Sequence, residues 1–332
     1  MTDPAALLGS DVQARRPSIP VSLSRVGVTG VEKVIRIRSN GSEQLFYAEL
    51  ECFVDLGPEQ KGAHMSRFEE VVNEAIDEVV LSEAFKAETL ASHIAGLVRD
   101  RQEGARAEVR IAARYPEHKL APASRARTQE IYTLFGAAVA SAAGTRRIVG
   151  VEAQGMTACP CAQEMVKERS EERLREDGFT DDEIGRVFES VPVATHNQRG
   201  IGTLHIGCPE GCDEAIEAAA LLEIVESSMS SEIYELMKRS DEVEVVEKAH
   251  MHPRFAEDCV REMVRKATER FAGLGDNAFV SARQENLETI HKHNVVAERH
   301  GLMSELLHEM ESGERAARQV TMREWLESAP AA

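Results

Sequence analysis

Two cysteines separated by a single proline, Cys159 and Cys161, form the most chemically suggestive feature of this 332-residue sequence. Two thiols this close cannot easily form a disulfide with each other, because a disulfide needs its two Cβ atoms face to face. A sulfur presented from such a turn can instead bind a metal ion or react as a thiolate. Residues 155–161 are therefore a candidate metal-binding or catalytic turn.

Later segments of the chain carry side chains that complement this sulfur. A set of one thiolate, two imidazoles and one carboxylate consists of Cys159, His196, Glu242 and His291. Such a mixed set suits Zn²⁺, Fe²⁺ or Mn²⁺ better than Ca²⁺ or Mg²⁺, which prefer oxygen ligands alone. Catalysis at a metal also needs a side chain that moves protons, and Glu257 and Glu288 are the candidates. The sequence therefore indicates a catalytic site for a divalent metal.

A different use of the cysteines remains open. Cys208 and Cys212, separated by a Pro-Glu-Gly turn, could join Cys159 and Cys161 in a structural four-thiolate zinc site. The Cys159–Cys161 pair is one residue closer than the usual spacing for such sites. This alternative predicts a non-catalytic scaffold with a zinc knuckle. The two remaining cysteines are isolated and are predicted to be small buried side chains: Cys52 and Cys259.

A basic cluster at the start of a predicted helix is a candidate substrate-binding site for an anion. It consists of Lys61, His64 and Arg67. Cations are unfavourable at a helix N-terminus unless an anion docks there among the free N–H groups. Lys238 and Arg239 can extend the same pocket. An ordinary solvated helix start is the alternative interpretation.

The overall composition excludes several classes of protein. Asp and Glu outnumber Lys and Arg by 57 to 39, which gives a formal net charge of −18 and argues against a nucleic-acid partner. The chain has no run of eighteen apolar residues, so no membrane span or membrane partner is expected. Six cysteines without a secretion signal predict a reducing cytoplasm.

The order of predicted elements is similar in the two halves of the chain. In the first half, strands are predicted at 31–38 and 45–56, helices at 66–80 and 82–101, and strands at 105–114 and 128–140. In the second half, strands are predicted at 147–154 and 202–206, helices at 213–229 and 254–271, and a closing strand at 278–285. A charged stretch between the first two of these strands suggests a pair of exposed helices.

This order predicts an α+β protein with four parts. They are an N-terminal arm (1–30), a first module (31–143), a second module (144–299) with a helical insertion (164–191), and a C-terminal helical tail (300–332).

Seven segments resemble the GTP cyclohydrolase type IB family and occur in the order typical of that family. They are Val54-Asp55-Leu56, Lys61-Gly62-Ala63-His64-Met65-Ser66-Arg67-Phe68, Cys159-Pro160-Cys161, His196-Asn197-Gln198-Arg199, Lys238-Arg239-Ser240-Asp241-Glu242, Pro253-Arg254-Phe255-Ala256-Glu257-Asp258 and Glu288-Thr289-Ile290-His291-Lys292-His293-Asn294. Together they extend over nearly the whole chain, and several are long and specific.

The resemblance implies a tunnelling fold, in which two tandem ββααββ modules with antiparallel sheets assemble into barrels. It also implies a homotetramer, a dimer of dimers, with active sites at the subunit interfaces. The implied enzyme is a metal-dependent hydrolase of cyclic amidine C–N bonds. It converts GTP and water to 7,8-dihydroneopterin triphosphate and formate, the first step of tetrahydrofolate and pterin biosynthesis.

The resemblance also implies roles for individual residues. The metal ligands would be Cys159, His196, Glu242 and His291. Glu257 and Glu288 would be the active-site carboxylates, and Cys159 could also act as a catalytic thiol.

The sequence departs from the bacterial pattern of this family in several places. Ser240 stands where proline is usual, and Lys292 stands where asparagine is usual. An insertion separates Cys159 from His196, as in related archaeal iron-dependent enzymes, which form the 2′,3′-cyclic phosphate of dihydroneopterin. That cyclic product is therefore the alternative to the linear triphosphate.

Overall fold

The computed structural model describes residues 11–39, 42–79, 86–209 and 216–328. The strands are β1 (Leu23–Ser39), β2 (Ser42–Leu56), β3 (Arg106–Leu120), β4 (Arg127–Ser141), β5 (Gly144–Ala158), β6 (Asn197–Cys208), β7 (Ser231–Glu232), β8 (Phe279–Leu287) and β9 (Val295–Leu302). The helices are α1 (Met65–Val79), α2 (Ala87–Gln102), α3 (Pro160–Glu176), α4 (Asp181–Ser190), α5 (Ala218–Ser227), α6 (Arg239–Met251), α7 (Ala256–Arg270), α8 (Met303–Ser312) and α9 (Met322–Glu327).

The strands form one antiparallel sheet in the order β1-β2-β3-β4-β5-β6-β8-β9, with the short β7 paired to β5. The predicted strand-strand-helix-helix-strand-strand order of the first half is confirmed. The predicted tunnelling fold, in which two tandem ββααββ modules with antiparallel sheets assemble into barrels, is wrong for this structure. Strands β4 and β5 are hydrogen-bonded neighbours from Thr133↔Glu152 to Ser141↔Gly144, so the two halves share one nine-stranded sheet. The division into domains at residues 143 and 144 remains a prediction.

One face of the sheet is covered by helices, and the alternation of side chains along the strands explains why. The apolar face predicted for α1 is confirmed, because the following side chains are buried: Phe68, Val71, Val72, Ala75 and Ile76. They pack with α2 against the first half of the sheet, while α5 and α7 cover the second half. Successive strand residues point to opposite faces, which leaves a second face for other contacts.

The C-terminal segment occupies part of that second face. Trp325 of α9 is 2% exposed and packs against Phe279, with ring centroids 5.8 Å apart, and its Nε1 donates to the carbonyl of Asn277 at 2.9 Å. Val139 joins this cluster, whereas its neighbours in β4 face the helices. The tail was predicted to be a peripheral helix. Its last helix is instead anchored by a buried tryptophan.

Strand β1 begins within the segment predicted to be an irregular arm. It pairs with β2 from Leu23, with register shifts before Val26 and after Val28. A Cβ atom on Gly27 would lie 1.9 Å from the carbonyl oxygen of Cys52, so this close approach of two backbones requires glycine. These irregularities break the alternation of apolar residues, which is why the pattern alone predicts the strand only from residue 31.

The insertion between β5 and β6 forms two helices, as predicted. Helix α3 has no buried residue, and α4 buries only Ile184. Thr180 caps α4 with its side chain, which accepts from the backbone of Glu183. In the described parts of the chain, no helix combines the length and apolar character needed to cross a membrane.

The sheet has two ends that matter for the site. The Cys159 end is where β5 finishes at Ala158, β6 begins at Asn197 and β8 finishes at Leu287. The opposite, Cys208 end is where β6 finishes and β3 and β5 begin. Strand β5 has 15 residues. At 3.2–3.4 Å per residue the two ends are therefore about 50 Å apart.

Candidate active site

Three neighbouring strands bring the chemistry-bearing residues to the Cys159 end. Ala158 of β5 lies opposite Asn197 of β6, and Arg199 of β6 lies opposite Leu287 of β8. Cys159 and His196 follow directly in that register, and Glu288 comes directly after β8. Residues that lie opposite each other in an antiparallel pair point to the same face. The sheet register therefore gathers Cys159, His196 and Glu288 from three distant parts of the sequence.

Cys159 is held at the junction between a strand and a helix. Its N–H donates to the carbonyl of His196 at 3.1 Å, and its own carbonyl accepts from Oγ1 of Thr195 at 2.8 Å. As the N-cap of α3, its Sγ accepts from the N–H of Ala162 at 3.5 Å, with Pro160 in the first turn. The sulfur therefore lies at the N-terminal end of α3. Cys161, two residues later, is exposed on α3.

His196 lies beside a carboxylate with one oxygen that accepts no hydrogen bond from the described residues. Nδ1 of His196 is 3.8 Å from Oε2 of Glu288, and the side chains are 15% and 7% exposed. Oε2 of Glu288 is buried and makes no hydrogen bond. Nδ1 of His196 is also 3.1 Å from Oε1 of Gln198, a residue to which the sequence alone assigns no role. A buried acceptor without a donor is unfavourable, so this oxygen is poised to receive a proton donor from outside the chain.

The loop after β8 carries His291 to the same end of the sheet. Oγ1 of Thr289 donates to the carbonyl of Asn197 at 3.1 Å, which ties the loop to the start of β6. The rings of His291 and His293 stack with centroids 5.1 Å apart, and both side chains are exposed. His291 is therefore near the other site residues but is not held against them.

Glu242 stands apart from Cys159 and His196 within one chain. It lies on the exposed first turn of α6, with the exposed Lys238 and Arg239 beside it. The other end of α6 approaches the site, because Nε2 of His250 is 3.5 Å from Nδ2 of Asn197. Eight residues separate Glu242 from His250, which is about 12 Å along a helix. The structure thus places Glu242 at the Cys159 end, about two helical turns from His250.

The buried Asp241 fixes the position of that first turn. Its carboxylate accepts from the N–H groups of Ala123, Ser124 and Lys238 at 2.7–2.9 Å and from the Ser124 hydroxyl at 2.6 Å. Burial by itself would raise the pKa of Asp241, but these hydrogen bonds outweigh it and lower the pKa from 3.8 to about 2. Asp241 therefore locks α6 to the turn between β3 and β4.

We expect the stabilisation that the Asp241 carboxylate provides to be lost at low pH. The pKa of Asp241 is lower in the folded than in the unfolded protein. Its contribution to the free energy of unfolding is therefore complete above pH 3.8 and is lost as the pH falls towards about 2. Asp241→Asn should be less stable than wild type at neutral pH, and the difference should narrow over that acidic window. Urea midpoints of both proteins against pH will measure it, with the exposed Asp182→Asn as control. If the difference in urea midpoint between wild type and Asp241→Asn stays constant down to a pH of about 2, the lowered pKa of Asp241 is contradicted.

Glu257 lies at the start of α7, close to the end of β5. The N–H of Arg254 donates to the carbonyl of Ala158 at 3.0 Å, which attaches this helix start to the residue before Cys159. Glu257 itself is exposed and lines a cleft of about 380 Å³ between α7, β9 and α8. The apolar floor of the cleft includes Val260 and Leu306.

The basic cluster of Lys61, His64 and Arg67 lies at the opposite, Cys208 end. Arg67 donates to the carbonyl of Arg101 at 2.9 Å, and Nε2 of His64 is 3.3 Å from Oδ2 of Asp11. The end of α2 leads directly into β3, whose first residue pairs with Ser141. Within a single chain, this candidate anion site therefore lies about the length of the sheet away from Cys159.

The potential metal ligands at the Cys159 end are of a suitable chemical kind for a divalent ion, although they are not assembled around a common point. Across residues 11–39, 42–79, 86–209 and 216–328, no three His, Cys, Asp or Glu side chains are already close enough to hold one. Cys159 and His196 nevertheless offer a sulfur and an imidazole from opposite positions, and Glu288 adds an unpartnered oxygen beside the imidazole. This donor chemistry suits Zn²⁺, Fe²⁺ or Mn²⁺.

The alternative four-thiolate zinc site is wrong for a single chain. Cys208 pairs with Arg147 at the far end of β5, twelve residues along β6 from His196. At 3.2–3.4 Å per residue this places Cys208 about 40 Å from Cys159, whereas Cys212 lies outside the described residues. The buried positions predicted for Cys52 and Cys259 are confirmed, and burial raises the pKa of each thiol to about 12.

A family model described as type I GTP cyclohydrolase folE2 matches residues 10–297. The chain belongs to this family. It is 42% identical over 307 residues to GTP cyclohydrolase MptA of Methanococcus aeolicus, which covers 90% of this chain and 99% of the relative. The corresponding protein of Methanosarcina acetivorans is 41% identical over 309 residues, covering 90% and 96%. The finer type IB assignment from the motifs remains an interpretation.

Solved structures show where else this fold occurs. Uricase from Arthrobacter globiformis superposes with a TM-score of 0.51 over 89% of this chain and 96% of the uricase, at 8% identity. A hyper-thermostable uricase mutant gives a TM-score of 0.52 over 95% and 100%, also at 8% identity. At this identity the likeness concerns the fold alone.

Proposed function

We propose that this member of the folE2 family is a metal-dependent GTP cyclohydrolase. The observation that carries the proposal is the arrangement at the Cys159 end, where Cys159 and His196 follow the paired ends of β5 and β6 and a buried oxygen of Glu288 lies 3.8 Å from the imidazole. Family membership and the name of the Methanococcus relatives supply the substrate, GTP. The reaction opens the imidazole ring of guanine at C8 and releases that carbon as formate.

Cys159 and His196 are the proposed holders of a divalent metal ion, either Fe²⁺, Mn²⁺ or Zn²⁺. Glu242 and His291 are the proposed additional ligands, since both lie at the same end of the sheet on exposed segments. When bound, such an ion activates water at neutral pH. The hydrogen bonds from the backbone of Ala162 and to Gln198 keep the sulfur and the imidazole in place.

In this proposal, a carboxylate transfers the protons that ring opening requires. Opening the C8–N9 bond requires protons at ring nitrogens, and a buried carboxylate next to the reacting ring is suited to deliver them. Glu288 is the proposed proton carrier, because its Oε2 is buried and accepts no hydrogen bond from the part of the chain that the structure describes. Glu257, on the rim of the neighbouring cleft, is the proposed anchor for the guanine edge.

The triphosphate of GTP requires cationic side chains near the site, although the chain as a whole is acidic. Lys238 and Arg239 are exposed at the Cys159 end and are the proposed partners for the phosphates within the same chain. Lys61, His64 and Arg67 lie about 50 Å away at the other end of the sheet. We therefore propose that they act in the site of a neighbouring copy, with active sites between subunits of a homotetramer.

Two products are consistent with this site. The linear 7,8-dihydroneopterin triphosphate is the leading proposal, as the start of a folate or pterin pathway. The 2′,3′-cyclic phosphate is the second, and it is favoured by the α3–α4 insertion directly after Cys159 and by relatives from Methanococcus and Methanosarcina.

Incubation with GTP under anaerobic conditions will test the function and separate the products. With Fe²⁺, Mn²⁺ or Zn²⁺ we expect release of formate and the appearance of pterin fluorescence, and chelation should abolish both. Mass spectrometry then distinguishes the linear triphosphate from the cyclic phosphate. Unchanged GTP with every metal, in a folded protein, would contradict the proposed function.

A further inference from the structure

A buried amide lies directly beside the proposed metal ligand His196. Gln198 of β6 is 5% exposed and lies two residues after His196, which directly precedes that strand. Its Oε1 is 3.1 Å from Nδ1 of His196, and its Nε2 donates to Oγ1 of Thr157 at 3.0 Å. Thr157 is fully buried and lies directly opposite Gln198 in the β5–β6 register. The amide is thus fixed from both sides.

The surroundings of the imidazole decide which nitrogen carries its proton. Oε2 of Glu288 is 3.8 Å from Nδ1 and accepts no hydrogen bond. The amide oxygen of Gln198 is an acceptor only, so a lone pair on Nδ1 would face an acceptor at 3.1 Å. The proton is therefore assigned to Nδ1, from which it is donated to Oε1 of Gln198. This leaves the lone pair on Nε2.

We infer that Gln198, held in turn by Thr157, is a positioning residue for His196. It fixes the orientation and the tautomer of the imidazole so that Nε2 presents an electron pair to a divalent cation. The inference rests on the proposed function, because that function makes His196 a metal ligand. Metal-binding histidines commonly donate their other N–H to such an oxygen, and losing that partner weakens metal binding about 10–100-fold.

The test uses Co²⁺ alone as the probe, with affinity measured by competition against a chelator and by the absorption of thiolate-bound cobalt. Gln198→Leu keeps the volume but removes the acceptor, and we expect Co²⁺ to bind about 10–100-fold more weakly. Gln198→Glu keeps an acceptor at Nδ1 and should restore most of the affinity. Thr157→Val removes the hydroxyl that holds the amide of Gln198, and it should weaken Co²⁺ binding by a smaller factor than Gln198→Leu does.

Gln284→Leu is the matched control. Gln284 is a fully buried amide on the neighbouring strand β8, and it donates to Asn286 rather than to His196. This variant should keep the Co²⁺ affinity of wild type, because the amide that it removes does not contact His196. Thermal melting of every variant establishes that the proteins are folded.

Several outcomes would overturn the inference. They are wild-type Co²⁺ affinity in folded Gln198→Leu, an equal loss in Gln284→Leu, or a wild-type protein that does not bind Co²⁺. The measurement contains no GTP, so it is independent of turnover. A protein that shows the expected Co²⁺ pattern but leaves GTP intact refutes the proposed function and supports the positioning role. Normal turnover of GTP with unchanged Co²⁺ affinity in Gln198→Leu refutes only the positioning role.

Discussion

Replacing Cys159 by alanine will lower the turnover of GTP by about a thousandfold or more, a size typical of losing a group that acts on the reacting atoms. The sulfur is the proposed metal ligand or catalytic thiol, and alanine has no group that can take either role. The fold should survive, because the structural loss is one N-cap hydrogen bond to Ala162. Such a cap is worth about 0.5–2 kcal/mol.

Cys161→Ala is the matched control for this experiment. Its thiol is two residues away but exposed on α3, so turnover should stay near that of wild type. Formate release and pterin fluorescence measure activity, and circular dichroism shows whether the variants are folded. Full activity in folded Cys159→Ala would refute the assignment of the site.

Glu288→Gln should lower kcat by about 10²–10⁴-fold, because an amide of nearly the same shape cannot accept or deliver the proton. The stability of the protein should not fall with the activity. Oε2 of Glu288 is buried without a hydrogen-bond partner among the described residues, and an acceptor left without a donor is costly. The melting temperature of Glu288→Gln should therefore equal or exceed that of wild type, as expected for a side chain kept for function.

Glu285→Gln provides the comparison for that variant. Glu285 lies three residues earlier, where Arg283 donates to it at 2.7 Å and Asn294 at 3.0 Å, so it is already paired within the chain. Steady-state kinetics and thermal melts of both variants are required. Wild-type kcat in Glu288→Gln, or a large loss of stability without loss of activity, would remove Glu288 from the mechanism.

Part of the fold was predictable because its signal is local. Alternating apolar residues indicate the paired strands of the first half, and the 3.6-residue period indicates α1, whose predicted face is buried. The charged insertion lacks an apolar stripe, and its two helices are indeed almost wholly exposed. Isolated cysteines in apolar strands or helices are predicted to be buried, as Cys52 and Cys259 are.

Other elements carry no such signal. Helix α6 was not predicted, because its buried positions are Asp241, Val245 and Ala249, and the first of these is charged. Its apolar Val243 and Val246 are exposed instead. Strand β9 was missed because it is an edge strand with a single buried residue, Gly301. A hydrophobic pattern cannot identify an element that buries almost no apolar surface.

The sequence by itself determined which chemical groups the protein has: a thiol, imidazoles, carboxylates and cations in an order typical of one enzyme family. Only the tertiary structure decided where they lie. The register of β5, β6 and β8 places Cys159, His196 and Glu288 together, whereas the same sheet holds Lys61, His64 and Arg67 at its opposite end. Contacts such as that between Gln198 and His196 arise from strand pairing between segments distant in sequence, and spacing along the chain does not encode the register of that pairing.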